Sequence, residues 1–411
     1  MKAVGVIVEY NPFHNGHAYH LQEAKKLTNA DVVIAVMSGP FLQRGEPALV
    51  SKWARTKMAL EGGIDIVLEL PYAFATQKAE TFASGAVSIL NAFGVSTLCF
   101  GSEDGNIEPF LNATKVHEDR SELLDIRIRK LLKKGISYPT ALSTAFREIQ
   151  HNAETLNLSK PNNILGFHYV QAIARQNSAI LPLTIRRLSA QYHDETFATA
   201  SIASATSIRK HIQSRGLETA TGVMPTSTIK HLRHYYNEHR MFHDWAQYFP
   251  LLKYKLLSSS TKELEHIYEA EEGLHYRVLS LIREAVSFTN FMQGLKTKRY
   301  TWTRLQRLCL HILTHTTKEQ MAFVPDDETS PYARLLGMTQ KGRQYLSLHK
   351  KHIAIPFLSN IKTFQHPLLD LDIKASAVYF SCLPEPLCSK ALKADFIQHP
   401  LQYNEKQKQF L

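Results

Sequence analysis

His14 and His17 flank Gly16 in the stretch Val8-Glu9-Tyr10-Asn11-Pro12-Phe13-His14-Asn15-Gly16-His17. The apolar run Ala3 to Val8 precedes it, and Leu21, Ala24 and Leu27 follow at helical spacing. A strand therefore feeds a tight turn, and the turn opens a helix. The first N–H groups of a helix lack partners within it and sit at the positive end of its dipole, so this corner attracts anions. Gly16 permits close backbone approach, and two imidazoles add donors that suit the phosphates of a nucleoside triphosphate. The plain alternative is a helix cap with incidental histidines. A metal site built from His14, His17 and His20 is disfavoured. No Cys, Asp or Glu stands at matching spacing, and three residues spaced by three share one helix face poorly.

A second constellation, Ser204-Ala205-Thr206-Ser207-Ile208-Arg209-Lys210, starts another helix. Hydroxyls at a helix N-terminus with Arg and Lys in the first turns suit β- and γ-phosphate oxygens. Taken alone it reads as an ordinary Ser/Thr cap. Paired with the first turn, Ser207 and Arg209 become phosphate-binding candidates.

The elements that must hold these residues alternate through the first half. Strand-like runs are Ala3–Val8, Asp31–Met37, Ile64–Leu70, Val95–Phe100 and Leu181–Leu188, and helical patterns are His17–Leu27, Ser51–Glu61, Lys78–Phe93 and Asn163–Arg175. That alternation predicts an α/β fold with a parallel sheet and right-handed crossovers. Ligands bind such sheets at the carboxyl ends of the strands, where the His14/His17 turn falls. Past about residue 220 long helical patterns dominate: Ser227–Arg240, Ser260–Ser287 and Thr301–Thr314. The expectation is a catalytic domain over residues 1–220 and a mainly α-helical, basic domain over 221–411, with the boundary near Arg215–Pro225. The arrangement of Ile353–Leu411 is left open.

Lys plus Arg number 48 against 37 Asp plus Glu, a formal charge of +11 over 411 residues, which favours a polyanionic partner such as nucleic acid. Cations mix with aromatics in Lys230-His231-Leu232-Arg233-His234-Tyr235-Tyr236 and again from Lys296 to Arg307, with Lys298, Arg299, Tyr300, Trp302 and Arg304. Lys and Arg neutralise phosphates, and aromatic rings stack unpaired bases. Arg127, Arg129, Lys130, Lys133 and Lys134 form a third run without aromatics. The four cysteines are scattered, which fits a reducing, cytoplasmic setting and argues against a disulfide scaffold or a cysteine zinc site. No run of ~20 apolar residues suggests a membrane span.

The strand-1 His-x-Gly-His turn with a late Ser/Thr-x-x-Arg helix start resembles the nucleotidyltransferase superfamily, relatives of class I aminoacyl-tRNA synthetases. Within it, the segments Gly5 to His17, Gly39 to Ala48, Lys160 to Gly166, Tyr192-His193-Asp194 and Lys296 to Thr301 resemble the bacterial tRNA(Met) cytidine acetate ligase family. The resemblance implies a Rossmann-like nucleotidyltransferase domain and a two-step reaction. ATP and acetate give acetyl-adenylate, and the acetyl group then passes to N4 of the wobble cytidine (position 34) of elongator tRNA(Met).

The family's ATP site maps onto Ile7, Val8, Glu9, Tyr10, Asn11, Pro12, Phe13, His14, Asn15, Gly16, His17, Ala18, Tyr19 and His20, with Gly101, Asn162, Arg186 and Arg187. His14 and His17 are the expected catalytic residues, and Arg209 with Lys210 would hold pyrophosphate, with Mg²⁺. The late motif reads Ser-Ala-Thr-Ser where the superfamily often has Ile-Ser-Ser-Thr, so the hydroxyl that meets phosphate is left open. Lys230, Arg233, Lys296, Lys298, Arg299 and Arg304 are the candidates for tRNA. No metal ligands, membrane contact or obligate protein partner are implied. A proton acceptor for the second step is left open among Glu9, Asp194 and Glu103. Two other functions fit the same turn: a small-molecule adenylyltransferase, and a non-catalytic nucleotide-sensing RNA-binding factor.

Overall fold

The computed structural model describes residues 1–150, 156–187 and 202–411. Tyr192, His193 and Asp194 lie outside these residues, as does the last residue of the Leu181–Leu188 run. Among the described residues nine strands form one sheet: β1 (Ala3–Val8), β2 (Val32–Ser38), β3 (Ile66–Leu70), β4 (Thr97–Ser102), β5 (Leu181–Arg186), β6 (Ala333–Thr339), β7 (Phe357–Leu358), β8 (Leu401–Asn404) and β9 (Gln409–Phe410). Their order is β5-β4-β1-β2-β3-β6-β8-β9, with β7 beside β6. The five strands expected from the first half are all present and all parallel, with Val8 opposite Met37 at the end of β1 and β2.

These strands read as unbroken apolar runs because helices cover both faces. Ile34 and Val36 of β2 share a core with Phe74, Phe82, Ala86 and Val87. Val33, Ala35 and Met37 point the other way, into a core with Leu21, Met58, Ala59 and Ile208. Gly5 in β1 has a packing reason, since a Cβ there would meet Leu90 at 2.8 Å. The close approach seats the helix Ala79–Ala92 on the sheet.

One expectation needs correction. The pattern Ser260–Ser287 is not one helix. It splits into Thr261–Glu265 and Leu274–Ile282 around positive φ values at Glu269, Glu272 and Gly273. That break turns the Glu269, Glu271 and Glu272 carboxylates toward Arg307, Arg304 and Arg299. Residues 221–411 are largely helical, and β6, β7, β8 and β9 from this part extend the sheet of the first half, β6 pairing antiparallel with β3. One buried cluster has members from Ala3 to Ala391. The run of basic residues from Arg127 lies in a helical segment, Glu108–Asp119, Ser121–Lys133 and Tyr138–Gln150, between β4 and β5.

The β3–β6 joint carries buried charge. Glu69 accepts from Lys52 at 2.9 Å and lies 3.4 Å from Arg334, and Asp395 meets both cations at 3.0 and 3.1 Å. Such a cluster is costly to desolvate and adds little net stability, but removing one member strands the others. It fixes the register at which the C-terminal strands join.

Candidate active site

His14 is the N-cap of the helix Asn15–Thr28, and its Nδ1 accepts from the Gly16 N–H at 3.0 Å. His17, three residues on, returns the bond, its Nδ1 accepting from the His14 N–H at 3.3 Å. This is a capping box made by two histidines. With each Nδ1 accepting, the proton of each neutral ring sits on Nε2. The rings stack with centroids 3.8 Å apart, and the His14 Nε2 is buried with no partner.

Burial keeps these rings neutral. The pKa of His14 is lowered to about 3 by desolvation, then by the charges of Arg187 and Arg209. His17 is pushed well down by burial, then by His14 and Arg187. His20 falls to about 4 for the same leading reason. An imidazole held neutral with its Nε2–H free is a hydrogen-bond donor that adds no full charge of its own.

The turn before the helix is fixed from below. Tyr10 and Phe13 are buried, their rings edge-to-face at 4.8 Å, and both pack against the His17 ring. Asn11 is buried too, its Oδ1 accepting from Leu49 N at 2.7 Å. These three side chains therefore shape the corner. A fully buried arginine, Arg55, ties three chain segments together. It donates to the carbonyls of Glu9 (2.8 Å), Ser38 (2.9 Å), Val50 (3.3 Å) and Gly39. Sequence reading missed it, because a single Arg on the helix Lys52–Glu61 carries no signal of its own.

The late constellation reaches this turn. Ser204 caps the helix Ala205–Arg215, its Oγ accepting from Ser207 N at 3.1 Å. The Ser204 hydroxyl is thus engaged with its own helix. Arg209 donates to the Asn11 carbonyl at 3.0 Å and to Glu46 at 2.7 Å. Gly101, in β4, lies against the Arg187 side chain and near His20. Arg186 ends β5 and packs over Gly105. Asn162 is in the first turn of the helix Pro161–Arg175, its Nδ2 donating to Glu103 at 2.7 Å. Glu103 also accepts from the backbones of Asn162 and Asn163, and Asn163 accepts from the backbones of Glu103 and Asp104. Glu103 is therefore a helix cap tying β4 to that helix. Among the described residues no group of three or more His, Cys, Asp or Glu could hold a metal ion.

The basic candidates sit on the helical part. On the helix Thr226–His239, Lys230 is exposed and Arg233 is paired with Glu218 at 2.6 Å, while Tyr235 and His231 are buried. Tyr235 bonds His243 at 2.8 Å, so only Tyr236 of that pair offers a face to solvent. Lys296 and Lys298 are exposed. Arg299 pairs with Glu272 at 2.6 Å and Arg304 with Glu271 at 3.0 Å. Tyr300 is buried and donates to Glu272, whereas Trp302 is exposed. No helix among the described residues is long and apolar enough to cross a membrane.

Residues 1–395 match the family model described as HIGH Nucleotidyl Transferase. The chain is 54% identical over 393 residues to the tRNA(Met) cytidine acetate ligase of Bacillus cytotoxicus, covering 95% of this chain and 100% of that protein. It is 52% identical over 413 residues to the protein of the same name from Bacillus velezensis, with 100% of both covered. It also resembles two crystal structures of Thermotoga maritima TmcAL. The apo form I has a TM-score of 0.91, and form II, bound with alpha-thio ATP, has 0.88. Each is 34% identical and covers 98% of this chain and 100% of the other.

Proposed function

Because this chain belongs to the tRNA(Met) cytidine acetate ligase family of HIGH nucleotidyltransferases, we propose that it joins acetate to N4 of the wobble cytidine of elongator tRNA(Met), using ATP to make acetyl-adenylate first. The observation that carries the mechanism is the His14 Nε2–H, buried and without a partner at a helix N-terminus. A phosphate oxygen supplies the acceptor it lacks.

In the first step an acetate oxygen attacks the α-phosphorus, and the bond to pyrophosphate breaks. Acetate is already ionised near neutral pH, so no base is needed. The site must hold two anions together and spread the charge that moves onto pyrophosphate. Neutral donors, helix N–H groups and fixed cations do this without reorganising. His14 and His17 donate from Nε2 at the reacting phosphate. Arg209 has N–H groups beyond those given to Asn11 and Glu46, and Lys210 extends from the same helix, so these two receive pyrophosphate. Gly101 gives adenosine a strand end to lie against, Asn162 offers its amide oxygen, and Arg187, whose side chain lies against Gly101, serves adenosine or phosphate. Mg²⁺, when bound, neutralises phosphate charge. With no protein cage among the described residues, it would be carried on the triphosphate.

In the second step N4 of cytosine attacks the acetyl carbon, AMP leaves, and the proton on nitrogen is lost. The ring withdraws the N4 lone pair, so the mixed anhydride and proximity share the work. Glu103 is spent as a helix cap, which weakens it as the proton acceptor. Lys230, Arg233, Lys296, Lys298, Arg299 and Arg304 supply a phosphate-binding surface. The ion pairs of Arg233, Arg299 and Arg304 are partly or fully exposed and screened by solvent, so RNA phosphates can displace their glutamates.

The test is incubation with ATP, labelled acetate and elongator tRNA(Met), followed by mass spectrometry of the nucleosides. N4-acetylcytidine appearing only when ATP and acetate are both present is the expected result. Pyrophosphate release that is independent of acetate, with unlabelled tRNA, would instead favour an adenylyltransferase acting on a small molecule.

A further inference from the structure

The loop Gly39–Ala48 is bound on two sides. Toward the nucleotide corner, Gln43 N donates to Glu9 at 3.0 Å and Glu46 holds Arg209. Toward the helical part, the Arg44 carbonyl accepts from Gln306 Nε2 at 2.9 Å and the Gly45 carbonyl from Trp245 Nε1 at 3.1 Å. Gly45 has φ +76°, and a Cβ there would meet the Arg307 backbone at 2.8 Å, so the loop lies directly on the helix Trp302–Leu313.

Gln306 makes a second bond from its other end. Its Oε1 accepts from the Trp302 indole N–H at 3.2 Å. Trp302 is 37% exposed, and its one polar atom is already satisfied. Two hydrogen bonds therefore connect an exposed, oriented indole to the backbone of Arg44. The Arg44 side chain is exposed, makes no ion pair among the described residues, and its charge acts on Glu9 and Arg187. Lys298 and Arg299 come just before Trp302 in the chain and Arg304 just after it, Lys298 being exposed and the Arg304 guanidinium lying 5.1 Å from the Tyr300 ring.

We infer that this path is the channel for the anticodon loop: an unpaired base next to the target cytidine stacks on Trp302, and Arg44 binds the phosphate between that base and the nucleotide corner. The inference rests on the ligase reading above and adds where the single strand lies. An aromatic face flanked by cations is the standard way to hold an unpaired base, because every base has a π-face and every linkage a charge. The choice of Trp302 over Tyr300 follows from burial, since Tyr300 is covered and bonded to Glu272. Solvation alone does not explain why Gln306 spends both ends of its amide tying an exposed ring to the backbone of this loop.

The probe is the isolated anticodon stem-loop of tRNA(Met), titrated into the full chain while tryptophan fluorescence is read. The chain has three tryptophans. Trp245 is buried against Phe288 at 4.1 Å, and the Trp53 ring lies 5.8 Å from Lys52 and 5.4 Å from Arg334. Saturable quenching in the wild type that disappears in Trp302→Phe is expected. Steady-state acetylation adds a second readout. Trp302→Ala raises KM for tRNA roughly ten- to hundred-fold while Trp302→Phe stays within about threefold, because a phenyl ring still stacks. Arg44→Ala raises KM for tRNA more than KM for ATP. Quenching that persists in Trp302→Phe, or a KM for tRNA in Trp302→Ala within about twofold of wild type, overturns the inference. Stem-loop binding is read without turnover, so its outcome is separate from a failure of the ligase reaction itself.

Discussion

Arg209 donates to the carbonyl of Asn11 at 3.0 Å, so a helix that begins near residue 205 closes over a turn that ends the first strand. The same guanidinium holds Glu46 at 2.7 Å, which brings a third segment to the corner. Arg209→Ala is expected to cut acetate-dependent exchange of pyrophosphate into ATP by about 10²- to 10³-fold, the usual loss for one preorganised donor at a reacting centre. Arg209→Lys keeps the charge but cannot span Asn11 and Glu46 together, so it should restore less than about tenfold of that loss. Exchange near the wild-type rate in Arg209→Ala would remove it from the pyrophosphate site.

His14 has two duties that one substitution separates. Asn is a good N-cap, so His14→Asn should keep the helix start and cost no more than about 1 kcal/mol of stability. It lacks the Nε2–H aimed into the corner, so exchange should fall by 10²-fold or more. Thermal melting and exchange on the same preparation check this. A large fall in both would assign His14 to folding alone.

Arg55 gives the opposite pattern. Arg55→Met fills similar volume but leaves the carbonyls of Glu9, Ser38, Gly39 and Val50 without their donor. Each stranded buried acceptor costs about 1–3 kcal/mol, less whatever water recovers, so a total loss of about 3–5 kcal/mol is expected in urea unfolding. A change below about 1 kcal/mol would mean that those carbonyls find other partners.

The parts of the site that sequence made legible are those held by local rules. A strand, a turn with Gly16 and a helix start are all readable within some 30 residues, and the structure keeps each one. The reciprocal bonding of His14 and His17 and the stacking of their rings emerge only from the fold. Arg55, the Glu103–Asn163 cap and the Gly39–Ala48 loop were not legible, because each acts through partners far away in the chain. β6 was missed for a related reason. Its sequence, ARLLGMT, carries Arg334 and Gly337 where an interior strand should be apolar, and only the buried Glu69 and Asp395 make that arginine tolerable. The Ser260–Ser287 pattern misled because periodicity does not register three glutamates drawn out of a helix by arginines some 30 residues on.

Acid should unfold this protein through its histidines. His14, His243 and His311 have pKa values lowered to about 3, and His20 and His168 to about 4, in every case first by burial. Near pH 7 both folded and unfolded forms of these rings are neutral. Below the unfolded value of about 6.5 the unfolded chain takes up protons that the folded chain refuses, and the folded state loses about 1.4 kcal/mol per pH unit for each such ring. The loss runs down to the folded values near 3–4. Asp372 works the other way, since burial and Glu69 raise it to about 7. Between about pH 4 and 7 its folded carboxyl keeps a proton that the unfolded one gives up, which offsets one histidine of the five. The midpoint of thermal unfolding should therefore be flat near pH 7 and fall steeply from pH 6 to 5, with net uptake of more than two protons on unfolding. His168→Gln, on a helix away from the phosphate corner, should reduce that uptake by about one. A melting temperature that holds constant down to pH 5 would mean that these rings are solvated, and the neutral Nε2–H donors on which the catalytic proposal depends would go with them.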